Sequence, residues 1–429
     1  MHRDLEGNVV GQLDSADQVE YEKESEIVER KGMAMKINYW KVYESSNQII
    51  EIFLDDICYE IFSFLRPYFV LNHCALVSKQ WFNVIRNYSK LDIEFKKVIS
   101  AKNVKLLASS QFLESIRSVR IVFDTLLEFW RTIEKMKNLT KLFLSENIIF
   151  GELLFDTLRP LAPRLKLLKI ENNTIRYNAV NFIGEMINLE ELYIQRNMIS
   201  LILPIKELKH LHTLDIGNNE IGMIGASVIG EMQQLTRLNV ENNSITTDGA
   251  RSIGKLKNLT ELNIKKNSIG QEGVQHLCEL VKLTRLNLNY NQIGDKGALL
   301  ISLNMKHLTD LDITENHITV AGIRSISNLK TLTSLSIGFN RLNSKCVEWI
   351  CELDQLVHLD AKFNEIDDEG VLLISERMKQ LTSVNLMSNY LSMKGAIAIG
   401  ELPELISLEI DNAFLTVKVT LALRRQKKK

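Results

Sequence analysis

Leu283-Thr284-Arg285-Leu286-Asn287-Leu288-Asn289-Tyr290-Asn291-Gln292-Ile293 is the clearest copy of a phrase that recurs along the chain. Leu286, Asn287 and Leu288 alternate with the period of two that marks a short strand, with the leucines turned to one face. Asn291 falls where the chain must turn. Its amide offers two donors and a two-lone-pair acceptor, enough to satisfy backbone groups that no strand ladder reaches. Ile293 follows as an inward plug.

The same asparagine returns at Asn147, Asn173, Asn197, Asn219, Asn243, Asn267, Asn316, Asn340, Asn364 and Asn389, every 22 to 26 residues. Full phrases begin at Leu139, Leu165, Leu189, Leu211, Leu235, Leu259, Leu283, Leu308, Leu332, Leu356, Leu381 and Leu405. A degenerate one runs over Leu113, Ile116, Val119 and Ile121, with Asp124 at the asparagine position. That makes thirteen units, atypical at both ends as capping units are. A period in the twenties with L-x-x-L-x-L-x-x-N is the leucine-rich-repeat pattern. A glycine at a turn, as in Gly249-Ala250, Gly273-Val274, Gly297-Ala298, Gly322-Ile323, Gly370-Val371 and Gly395-Ala396, is expected to lead into a short helix. Ala250, Ile253 and Leu256 are spaced to cover the back of the strands. The expected fold is an α/β solenoid, a horseshoe with a concave parallel sheet and short convex helices.

Bulk properties narrow the function. The chain has 429 residues, 45% hydrophobic, with net charge −1. That charge argues against bulk attraction to nucleic acid or acidic lipid. No apolar run of 18 residues is present, so no membrane partner is expected. The opening MHRDLEGNVVGQLDS has no apolar segment of the kind a signal peptide carries. Cys58, Cys74, Cys278, Cys346 and Cys351 are odd in number and unpaired in spacing, which fits free thiols in a reducing compartment. A cytoplasmic location is expected, and the basic end Arg424 to Lys429 could serve as a nuclear address. Gly249 to Leu256 nearly matches a phosphate loop, but Leu256 stands where Ser or Thr must hold Mg²⁺. His210 and His212 form no metal motif. No catalytic, metal-binding or cofactor-binding residues are assigned.

Residues 1 to 45 are rich in acids and expected to be a mobile tail. Residues 49–90 form a dense helical block. Ile57, Ile61 and Leu65 make one stripe, Pro67 breaks the helix, and Leu71, Cys74, Val77, Trp81 and Ile85 make a second segment. The repeats occupy 91–423, and 424–429 is a basic tail.

The block resembles the F-box. The usual opening of that motif corresponds to Phe53-Leu54-Asp55-Asp56-Ile57, with Leu54 in place of proline. Its middle corresponds to Glu60 through Leu65, and its valine-serine-lysine-x-tryptophan ending to Val77-Ser78-Lys79-Gln80-Trp81. Directly before such repeats, it makes the chain similar to F-box/leucine-rich-repeat proteins from about residue 49 to 424. The regular 24-residue repeats look most like those of protist proteins. The resemblance implies a non-catalytic substrate-recognition adaptor. Phe53, Leu54, Ile57, Ile61, Leu65, Leu71, Val77 and Trp81 would dock a Skp-family adaptor, and through it a cullin–RING ubiquitin ligase. The repeats would hold a client protein. The alternative is a leucine-rich-repeat scaffold or inhibitor whose helical block only caps the first unit, with no ubiquitin role.

The concave face can be read by position. Counting Leu283 as one, the fifth positions are Asp215, Asn239, Asn263, Asn287, Asp312, Ser336, Asp360, Asn385 and Glu409. The eighth are Arg196, Asn218, Asn242, Lys266, Tyr290, Glu315, Phe339, Phe363 and Ser388. Outward aromatics on a rigid face are typical anchors. Tyr290, Phe339 and Phe363, with Asn287, Asp312 and Asp360 beside them, are the expected client surface. The early repeats around Glu191, Arg196 and Asp215 are the next choice.

Overall fold

A computed structural model describes residues 2–3, 9–10, 20–30, 33–43, 49–52, 91–95, 101–110, 113–121, 127–145, 158–173, 175 and 177–411. The chain divides into two units, residues 1–91 and 92–429.

In the first unit, strands Glu20–Arg30, Met33–Tyr43 and Ile49–Ile52 form an antiparallel sheet. The acid count of this segment did not announce these strands. The helical block expected over residues 49–90 begins instead with a strand, since Ile49–Ile52 pairs with Met33–Tyr43, and the remaining residues 53–90, with all eight expected docking residues, lie outside the described residues.

The second unit is built on one 14-stranded sheet whose order follows the chain. Its strands run from Leu91–Phe95 through Ile116–Ile121 to Ser407–Glu409. From Ile116–Ile121 onward, neighbours pair in parallel, each with the next. Strand Leu91–Phe95 adds one member upstream of the thirteen phrases. The register is constant: Leu286 lies opposite Leu262 on one side and Leu311 on the other. Short helices such as Thr246–Ile253 and Gly270–Leu277 return the chain between strands.

The leucine pattern explains the core. Leu283, Leu286, Leu288 and Ile293 are 0–2% exposed, and each equivalent set packs on the next unit. Burying one such side chain contributes about 1.5–3 kcal/mol before chain entropy is set against it. Ala250, Ile253 and Leu256 are fully buried behind the strands, as their spacing requires.

The asparagines form the expected ladder. Asn267 is 1% exposed. Its Oδ1 accepts from the Asn243 and Ile245 amides at 2.9 and 3.1 Å. Its Nδ2 donates to the carbonyls of Val240, Ile264 and Lys265 at 2.9–3.0 Å. One side chain thus satisfies five backbone groups in two units. Asn219, Asn291, Asn340 and Asn364 repeat all five bonds, while Asn147 lies outside the described residues.

A second side-chain ladder runs beside it. The Oγ1 groups of Thr236, Thr260, Thr284, Thr309 and Thr333 each donate to a carbonyl of the unit before, all at 3.1 Å.

One expectation is corrected. Gly249, Gly273, Gly297, Gly322, Gly370 and Gly395 lie inside the helices rather than at the turns before them. The reason is close approach. A Cβ at Gly249 would stand 2.5 Å from Cγ2 of Ile245 and 3.0 Å from Cβ of Ala226, so the bare backbone lets the helix sit against the plug.

Candidate functional site

The constant register lines equivalent positions into rows along the concave face. The third-position row reads Arg237, Glu261, Arg285, Asp310 across four adjacent strands. Arg237 and Arg285 both approach Glu261, at 3.4 and 3.7 Å, and Arg285 also approaches Asp310 at 3.7 Å. These exposed pairs are worth about 0–1 kcal/mol each. Their main effect is to neutralise the middle of the face. They border a shallow groove of about 430 Å³ that extends from Tyr193 to Ser334.

The fifth-position row has a structural task. Oδ1 of Asn239, Asn263, Asn287, Asp312, Asp360 and Asn385 accepts the amide two residues on, at 2.9–3.2 Å. This is the local turn that Asn and Asp side chains make with their own backbone. Asn287 and Asp312 do line the larger groove, and Asp360 lines a second one of about 220 Å³. Asp360 also holds Lys362 Nζ at 2.9 Å, and Asn289 Nδ2 lies 3.5 Å from Asp312 Oδ2. Part of the acceptor capacity of these three residues is therefore spent within the protein.

The eighth-position row is set apart by its backbone. Arg196, Asn218, Asn242, Lys266, Tyr290, Glu315, Phe339, Phe363 and Ser388 all have φ between 50° and 60°. This left-handed region suits Asn and disfavours bulky side chains. The array imposes it, because each eighth-position amide must reach the next unit: Tyr290 to Thr314, Phe339 to Lys362 and Phe363 to Met387, at 2.8–3.0 Å. Tyr290, Phe339 and Phe363 are 46%, 42% and 45% exposed. The Phe339 and Phe363 rings stack with centroids 4.1 Å apart and planes 15° apart. Of the six expected client residues, the structure thus places these three aromatics outward in one row. Asn287, Asp312 and Asp360 lie in a neighbouring row, half-buried.

A further concave cluster escaped the sequence reading. Earlier in the fifth row, Arg120 Cζ lies 4.5 Å over the Phe143 ring, and Lys169 Nζ lies 5.5 Å from the Tyr193 centroid. Lys169 also pairs with Glu171. Burial lowers the Lys169 pKa, helped by the charge of Arg120 and opposed by Asp215. Burial and the hydrogen bond to Glu191 push the Tyr193 phenol up to about 12. The signal that finds these residues is the fifth-position column carried back before Asp215.

Among the described residues, no cluster of three or more His, Cys, Asp or Glu side chains is placed to hold a metal ion. Among the same residues, no helix is long and apolar enough to cross a membrane. Cys278, Cys346 and Cys351 are free thiols, and burial raises the Cys346 pKa to about 12. The segment resembling a phosphate loop is an ordinary repeat helix, Thr246–Ile253. His212 Nδ1 lies 3.1 Å from Thr213 Oγ1.

Sheet, ladders and concave rows together define a leucine-rich-repeat solenoid. The family described as a leucine-rich repeat region matches residues 198–421, more than half of the chain, and the chain belongs to that family. No curated protein matches the sequence. Among solved structures, an internalin (inlF) from Listeria monocytogenes is similar over 75% of this chain and 92% of its own, at 24% identity and a TM-score of 0.52. The leucine-rich-repeat ectodomain of the plant membrane receptor kinase GASSHO1/SCHENGEN3 from Arabidopsis thaliana was solved in complex with Casparian strip integrity factor 2. It covers 73% of this chain and 40% of its own, at 17% identity and a TM-score of 0.41. The internalin likeness is one of fold.

Proposed function

We propose that this protein is a non-catalytic substrate-recognition adaptor of a Skp–cullin–F-box type ubiquitin ligase. One observation carries the reading. The ending Val77-Ser78-Lys79-Gln80-Trp81, after a helical stripe broken by Pro67, stands directly before an array of leucine-rich repeats. In this reading Phe53, Leu54, Ile57, Ile61, Leu65, Leu71, Val77 and Trp81 dock a Skp-family adaptor. The concave face holds the client through Tyr290, Phe339 and Phe363. Repeat solenoids use such extended concave surfaces for binding. The three rings are exposed and sit in a backbone conformation that bulky residues seldom occupy. Strain of that kind at a surface fits a role in recognition.

Affinity purification of the full chain from its native cells, with mass spectrometry, tests both halves. A Skp-family adaptor and a cullin are expected among the partners. They should be absent from the Leu65→Ala/Trp81→Ala protein, whose repeats remain folded by circular dichroism. Purification of the unaltered chain without any Skp-family adaptor would favour a repeat scaffold whose helical block is only a cap.

A further inference from the structure

Glu315 stands between two aromatic residues in the left-handed row. Tyr290, Glu315 and Phe339 have φ of 60°, 53° and 56°, and their amides reach Thr314, Gly338 and Lys362 in turn at 2.9–3.0 Å. They are therefore successive rungs, about 4.8 Å apart. Tyr290 and Phe339 flank Glu315 on either side, two such steps apart, roughly 10 Å. Close van der Waals contact takes about 3.5–4.0 Å on each side. The gap accommodates one planar group between the two rings with modest convergence. Phe339 is braced from behind by its stack on Phe363.

The residue between the two rings is a carboxylate without a partner. Glu315 is half-buried, and its carboxylate has no hydrogen bond or ion pair among the described residues. Lys362 is held by Asp360. His317 and Arg341, two positions along the turn from the slot residues, make no ion pair with Glu315 among the described residues. The flanking seventh positions, Thr314 and Gly338, bring no charge. A free carboxylate between two exposed rings favours a cation, which gains from both the counter-charge and the ring quadrupoles.

We propose that this slot takes an arginine side chain of the client, an inference that rests on the concave face being the client surface. A guanidinium is flat, stacks on aromatic faces and presents a fork of N–H donors to a carboxylate. A lysine ammonium offers the charge without the plane. Arginine supplies every complement that Tyr290, Glu315 and Phe339 present.

The test is a random-peptide display selection on the full chain. It is counter-selected on the Tyr290→Ser/Phe339→Ser/Phe363→Ser protein. The recovered peptides are expected to share one arginine. Replacing it with citrulline, which keeps the shape and removes the charge, should weaken binding by tenfold or more. Glu315→Gln should weaken the arginine peptide similarly and leave the citrulline peptide unchanged. Peptides that need the three rings but share a lysine or no basic residue overturn the arginine slot while leaving the client face standing. Recovery only of peptides indifferent to the rings overturns both, as does recovery of none.

Discussion

The Phe339 ring lies stacked on that of Phe363, 4.1 Å away, and both residues hold left-handed backbones at φ 56° and 51°. The stacking follows from the fold, since the two occupy the same position in successive units. The residue choice does not, because Asn218 and Asn242 fill that position elsewhere with less strain. Two bulky rings at costly positions, more than two-fifths exposed, support the proposal that they anchor a client.

Phe339→Asn should therefore leave the fold intact. It loses a stacking contact worth about 0.5–1.5 kcal/mol. It relieves a left-handed penalty of about 1 kcal/mol, since asparagine visits this region readily. The net change in unfolding free energy should stay within about 1 kcal/mol, while client binding falls. A drop of several kcal/mol in denaturant unfolding would show that the ring is packed structure.

Asn267→Ala should act locally. The Asn243 and Ile245 amides lose their acceptor, and three carbonyls lose a donor. Leaving buried groups unpaired costs about 1–3 kcal/mol each. Because repeat units couple mainly to neighbours, amide exchange should rise between about residues 235 and 295. A uniform rise along the chain, or no rise, contradicts a stacked ladder.

Gly249→Ala should destabilise although alanine is the better helix former. Alanine gains about 1 kcal/mol in propensity. The added methyl meets Ile245 at 2.5 Å, and a β-branched plug cannot rotate away cheaply. Overpacking of this kind costs about 1–3 kcal/mol, so the net loss should be about 0–2 kcal/mol by thermal unfolding. Stabilisation would show that helix and plug can separate.

The contact of Asp368 with Ser392 and Gly395 in the next unit should respond to acid. Its hydrogen bonds from the Ser392 hydroxyl and amide, and from the Gly395 amide, hold its pKa below the usual 3.8. A lowered carboxylate pKa stabilises the fold above the ordinary carboxylate range. That contribution is lost as the pH falls through the lowered value. Amide exchange at Ser392 and Gly395 should accelerate there, with Asp368→Asn largely insensitive. Acceleration centred above the usual carboxylate pKa would contradict this contact.

Much of this was legible in the sequence because the repeat states each rule a dozen times. Strand pitch, the buried leucines and the asparagine ladder all follow from the phrase at Leu283. The threonine ladder was also in view, in the recurring Leu-Thr of Leu235-Thr236, Leu259-Thr260 and Leu283-Thr284, but one hydroxyl bond per unit leaves no periodicity of its own. Strand Leu91–Phe95 escaped because it lies before the asparagine series begins. The glycines were placed at turns because sequence reports backbone freedom and not close approach. The fifth row read as a binding surface because an Asn or Asp that bonds its own backbone is spelled the same as one that awaits a partner. The pairing of Arg120 with Phe143, two strands' worth of side chains, depends on a register that the degenerate first unit obscures.

The central claim is that one end of this chain joins a ligase while the other selects a client. Quantitative affinity purification of three full-length proteins tests it most directly: the unaltered chain, Leu65→Ala/Trp81→Ala, and Tyr290→Ser/Phe339→Ser/Phe363→Ser. The account predicts that the second loses the Skp-family adaptor and cullin but keeps the client. The third should keep the adaptor and lose the client. Partner sets that stay the same across all three proteins would contradict it.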